Sequence, residues 1–79
     1  MKFVRRIGVD PKVRGDSTNA DDCPDIWEMD SGDFAVIGLD VTDQLGGELP
    51  LTAHRSTRER IVLITRKTLT SARHDIPAS

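Results

Sequence analysis

Ile26-Trp27-Glu28-Met29-Asp30-Ser31-Gly32-Asp33-Phe34-Ala35-Val36-Ile37-Gly38-Leu39-Asp40-Val41 places two apolar, β-prone runs on either side of Ser31-Gly32-Asp33. A short connection with a glycine inside it is a hairpin signal. The glycine supplies the positive φ that a tight turn needs, and Asp30 or Asp33 can hydrogen-bond the turn backbone. With a side-chain period of two, Phe34 and Val36 face one side of the second run, and Ala35, Ile37, Leu39 and Val41 the other. Both sides are apolar, so the run is expected to be a central strand covered on both faces.

Outward from this hairpin, Arg60-Ile61-Val62-Leu63-Ile64-Thr65 has four consecutive apolar residues, three of them β-branched, and reads as the strongest strand, pairing with the second hairpin strand. Lys2 to Gly8 reads as an edge strand whose arginines face water. Val9 to Pro24 collects Pro11, Gly15, Asp16, Ser17, Asn19, Asp21, Asp22 and Pro24, so residues 9–22 are expected to form a mobile loop. Thr42 to Leu45 opens a single helical turn, with Thr42 or Asp43 as N-cap and Gly46-Gly47 ending it. A loop follows, with Leu45, Leu49 and Leu51 available to pin it. Lys67 to Arg73 carries Leu69 and Ala72, followed by Ile76, and predicts a short helix stopped by Pro77. The fold class is therefore α+β: a single domain over residues 1–79, with a three- or four-stranded antiparallel sheet, a β-hairpin and one short C-terminal helix.

A chain of 79 residues has room for one core. Its hydrophobic fraction of 37% and charged fraction of 30% suit a globular chain. The net charge of −2 argues against a protein whose main task is neutralising phosphates. Cys23 is the single cysteine and makes no internal disulfide, which fits a cytoplasmic setting. No apolar segment reaches the roughly 18 residues of a membrane span, and no signal sequence is visible, so no membrane role is expected.

The residues Cys23-Pro24-x-Ile26-Trp27-x-x-Asp30-x-Gly32-x-Phe34-x-Val36-x-Gly38-x-x-Val41-Thr42-Asp43, followed by Leu49-Pro50, a strand and a terminal helix, form a pattern over about two thirds of the chain. It resembles a group of small actinobacterial proteins of unknown function that tend to be encoded near helix-turn-helix regulators. The resemblance implies a fold and a bacterial cytoplasmic setting, and no known activity. At Thr65 the resembling proteins often have proline.

Catalytic and metal chemistry find little support. Asp21, Asp22, Cys23 and Asp25 with His54 and His74 offer metal donors, yet the paired spacing of a structural zinc site is missing, as is the ligand periodicity of an EF-hand. Cys23 stands among carboxylates with no nearby cation in sequence to favour a thiolate. Neither a nucleophile elbow nor a phosphate-cradling glycine loop occurs. No metal, cofactor or catalytic residue is assigned, and the chain is not expected to be an enzyme.

The charge is asymmetric instead. Arg55, Arg58, Arg60, Arg66, Lys67 and Arg73 make the C-terminal half basic, whereas residues 10–43 are acidic. With three aromatic residues and no tyrosine, stacking on nucleic acid has few candidates. Trp27 and Met29 share one strand face, packed under the terminal helix or offered to a partner. The expectation is a non-catalytic protein-interaction module, an accessory partner in a bacterial regulatory system. It would bind a protein partner or a second copy through Trp27, Met29, Arg58, Arg60 and Arg66. The alternative is a small nucleic-acid-binding protein using Arg55 to Lys67. Because the apolar strands outnumber the available cover, a homodimer or a bound partner is expected.

Overall fold

The computed structural model describes residues 1–15 and 22–78. It contains a three-stranded antiparallel sheet of β1 (Phe3–Arg6), β2 (Asp25–Met29) and β3 (Phe34–Ile37), with β2 in the middle. A separate two-stranded antiparallel ribbon joins β4 (Leu39–Asp40) to β5 (Val62–Leu63). Short helices α1 (Pro11–Arg14), α2 (Thr42–Leu45) and α3 (Arg66–Ala72) complete the α+β architecture.

The hairpin forms where the sequence places it. Gly32 has φ +92°, its N–H donates to the Met29 carbonyl at 3.0 Å, and Met29 N–H donates to the Asp33 carbonyl at 2.9 Å. Pairs Trp27 with Ala35 and Ile26 with Val36 then fix the register.

The second run does not continue as one central strand. It breaks at Gly38, where a Cβ would lie 2.6 Å from the Leu63 carbonyl oxygen. This close backbone approach lets the chain leave the first sheet and start the ribbon. β3 is consequently an edge strand, and only Val62 and Leu63 of the expected Arg60 to Thr65 strand pair, with Asp40 and Leu39. Beyond the ladder, Val41 N–H donates to the Ile61 carbonyl, and Ile61 N–H to Thr42 Oγ1 at 2.8 Å.

Ile7, Ile26 and Ala72 form the core, with Ile64 packed against them. By strand alternation Ile26 shares its face of β2 with Glu28, so α3 covers that face and not the one bearing Trp27 and Met29. Packing of Trp27 and Met29 under the terminal helix is thereby corrected. The helix also turns a different side inward than its apolar residues suggest. Thr68 and Ala72, four apart, are buried, while Leu69 and Ile76 are exposed. Thr65 caps α3, its Oγ1 accepting from Thr68 N–H at 3.1 Å, a bond that proline at this position has no side-chain oxygen to make.

Three further expectations change. At α2 the cap position is Val41, not Thr42 or Asp43, and Gly46-Gly47 continue into a 3-10 turn over Gly46–Glu48. Leu51 is 97% exposed and Leu45 is also exposed, and of the three leucines expected to pin the loop only Leu49 is half-buried. Within the stretch expected to be a mobile loop, Asp10 caps α1 through Lys12 N–H, Pro11 opens it, and Gly15 ends it in the left-handed region. Residues 16–21 of that stretch lie outside the described residues.

Candidate interaction surface

Trp27 is half-buried and held on three sides. Phe3 meets its ring edge-on with centroids 5.7 Å apart, and the Arg6 guanidinium lies 4.6 Å from the ring centroid. Its Nε1 donates to Asp25 Oδ2 at 2.9 Å. Asp25, only 5% exposed, also accepts from Arg6 Nε and Nη2 at 3.0–3.1 Å and from the Ile26 N–H. The bond to Asp25 raises the Arg6 guanidinium above its ordinary value, and the nearby charge of Asp25 adds to this against some cost of burial. Arg6 therefore does not simply face water. Arg5 points to the other face, bonding Glu28 Oε1 at 2.8 Å and the Asp75 carbonyl.

Met29 is buried. Arg60 pairs with Asp40 at 3.1 Å, both side chains about half exposed. Arg58 lies in the exposed loop and Arg66 opens α3, both exposed. Among the described residues, no hydrogen bond, ion pair or ring contact joins Trp27 or Met29 to these arginines. The basic run is also divided. Arg55 curls back on the carbonyls of Ser56 and Glu59, Arg60 is taken by Asp40, and Lys67 sits in a shallow cleft beside Arg14 and Arg73.

Asp40 is held by Thr42, whose Oγ1 and N–H donate to Oδ1 at 2.7 and 3.0 Å. These bonds, assisted by Arg60, lower its carboxyl to about 2.

A cavity of about 390 Å³ opens where β3 passes into β4. Ile37, Leu39, Leu63 and Ile64 give it apolar walls, and Cys23 and Asp40 reach it, whereas neither His54 nor His74 does. No group of three or more metal-ligating side chains occurs among the described residues.

The outer side of β3 is the most distinctive surface. No described strand pairs with it, and Phe34, Val36 and Ile37 are 43%, 44% and 49% exposed. Two hydrogen bonds fix which backbone groups point outward. Met29 N–H binds the Asp33 carbonyl, and the Ile26 carbonyl accepts from Ile7 N–H. In an antiparallel ladder, bonded and non-bonded pairs alternate. Ala35 and Ile37 therefore spend their backbone groups on β2, while Phe34 and Val36 present theirs at the free edge. Strands exposed in this way are commonly protected by charge, proline or a bulge, and Phe34–Ile37 has no charge and no proline.

Sequence reading missed this edge because it made β3 central; Gly38 inside the apolar run was the available signal. It also missed the Arg6–Asp25–Trp27 cluster, of which only the two-residue spacing of Asp25 and Trp27 is visible without the register. Comparison with protein-family models, with curated proteins and with solved structures finds no match for this chain.

Proposed function

We propose that this chain is a non-catalytic protein-interaction module that takes a partner's strand onto the outer edge of β3. The observation that carries the reading is the uncharged edge at Phe34–Ile37, which offers the N–H and C=O groups of Phe34 and Val36 together with half-exposed apolar side chains. Main-chain pairing supplies affinity in such contacts, and alternate side chains supply specificity. Trp27 and Met29 support the mode from behind, since they stiffen the neighbouring central strand. Arg58 and Arg66, which make no ion pair among the described residues, are cations open to a partner's acidic groups. An accessory role in a bacterial regulatory system, within the cytoplasm, rests on the sequence resemblance. No described helix is long and apolar enough to cross a membrane.

Hydrogen exchange of the isotope-labelled chain, alone and in extract of its host, tests the edge. Relative to the dilute isolated chain, the Phe34 and Val36 amides should gain protection when the edge is occupied, while amides in the exposed loop over 52–60 do not. Unprotected Phe34 and Val36 amides under every condition would overturn the reading. Binding to nucleic acid that weakens steeply with salt and is lost in Arg58→Ala and Arg66→Ala would favour the alternative.

A further inference from the structure

Resting on that edge-pairing reading, we infer that the occupant of the β3 edge is β3 of a second copy, in an antiparallel pair whose two-fold axis passes beside Ala35. Three observations converge on this partner. The first is exposure: Phe34, Val36 and Ile37 are 43%, 44% and 49% exposed on an apolar edge that no described strand covers.

The second is hydrogen-bond phase. With Ala35 opposite Ala35 of the other copy, each outward-facing Phe34 lies opposite an outward-facing Val36. These are the residues whose N–H and C=O groups β2 leaves free, so both pairs exchange backbone bonds and no group of Ala35 or Ile37 is taken from β2. The same register sets Phe34 beside Val36 on one face, an aromatic and β-branched cross-strand pair of the favourable kind. The pairing is isologous and closes on itself, which limits assembly to two copies.

The third is charge. The strand contains no ionic group, so none is desolvated. The flanking Asp33 of each copy lies two residues from the axis and faces Ile37, not its own counterpart. At about 3.4 Å per residue, the two aspartates are roughly 14 Å apart, beyond the Debye length at physiological salt.

Sedimentation equilibrium from micromolar to millimolar concentration, combined with directed cross-linking, tests the assignment. The wild-type chain should reach twice the 8.7 kDa mass. Val36→Pro removes an outward N–H and leaves the β2 ladder intact, so it should weaken association at least about tenfold while Trp27 near-ultraviolet dichroism is retained. Should Val36→Pro not fold, Val36→Lys gives the same readout through a charged edge. In a Cys23→Ser background, Ala35→Cys should oxidise to a covalent dimer, and Ile37→Cys on the same face should not. Efficient cross-linking at Ile37 but not Ala35 overturns the register. A wild-type chain that stays monomeric to millimolar concentration overturns the second copy as occupant. In that case, protection of the Phe34 and Val36 amides in host extract would still uphold edge pairing with another protein, and its absence would remove both.

Discussion

The β1–β2–β3 sheet and the β4–β5 ribbon each hold an aspartate that organises its neighbourhood, and they do so from opposite sides of the solvent boundary. Asp25 is 5% exposed and collects Arg6, the Trp27 indole and the Ile26 N–H. Asp40 is about half exposed and is bound chiefly by Thr42, two residues along the chain. The sheet has a turn that closes locally and four paired positions between β2 and β3. The ribbon has two paired positions, Leu39 with Leu63 and Asp40 with Val62, which meet only after a loop of some twenty residues closes. Such a loop carries an entropic cost, and an isolated two-stranded ribbon is marginal in water. A run of β-branched residues thus yields little sheet without a nearby partner, whereas the β2–β3 hairpin brings its partner with it.

The largest expected effect breaks the sheet side. Asp25→Ala strands the Arg6 guanidinium and the Trp27 N–H. Because Arg6 keeps some access to water, the loss is about 2–3 kcal/mol. Urea unfolding followed by Trp27 emission measures it, and a loss below about 0.5 kcal/mol would show the cluster to be incidental.

Gly38→Ala tests the junction between the two regions. Its Cβ would press on the Leu63 backbone, which has no flexible end to move, and a cost of about 2 kcal/mol is expected. Gly32→Val, in open space but at φ +92°, should cost about 1 kcal/mol through backbone strain alone. If the two substitutions reverse in order, the close approach at Gly38 is not what divides the strands.

On the ribbon side, Thr42→Val removes the acceptor of the Ile61 N–H as well as the principal donor to Asp40, and about 1 kcal/mol should be lost. Carbon-detected titration of the Asp40 carboxyl separates the two roles. In the wild type it should titrate near 2, below the ordinary 3.8. A carboxyl lowered on folding contributes stability above its unfolded value, and that contribution fades as pH falls from about 4 towards 2. Thr42→Val should carry the midpoint part of the way back, because the backbone N–H at position 42 and Arg60 still hold the carboxylate.

Arg60→Ala should have the smallest effect, because its pair with Asp40 is exposed on both sides and screened by water and salt. The thermal midpoint should be indistinguishable from wild type and the Asp40 titration should rise only slightly. A larger change than that of Thr42→Val would mean that charge, not the local hydroxyl, holds the ribbon together.

Sequence alone determined the hairpin, the glycine at its turn, the α+β class and the position of the terminal helix to within a residue. These depend on neighbours in the chain: a positive φ at Gly32, a period of two, and a short run stopped by Pro77. Only the tertiary structure decided that Gly38 hands the chain from one sheet to another and leaves β3 as an edge. It alone decided that α3 buries Thr68 and Ala72 in place of Leu69, and that Arg6, from another strand, lies on Trp27. Each of those outcomes is fixed by a contact between residues far apart in the chain. Apolar character and period can say that Phe34 to Val41 favours extended backbone, but which strand lies on either side of it is set by register and by the space the Leu63 backbone leaves at Gly38.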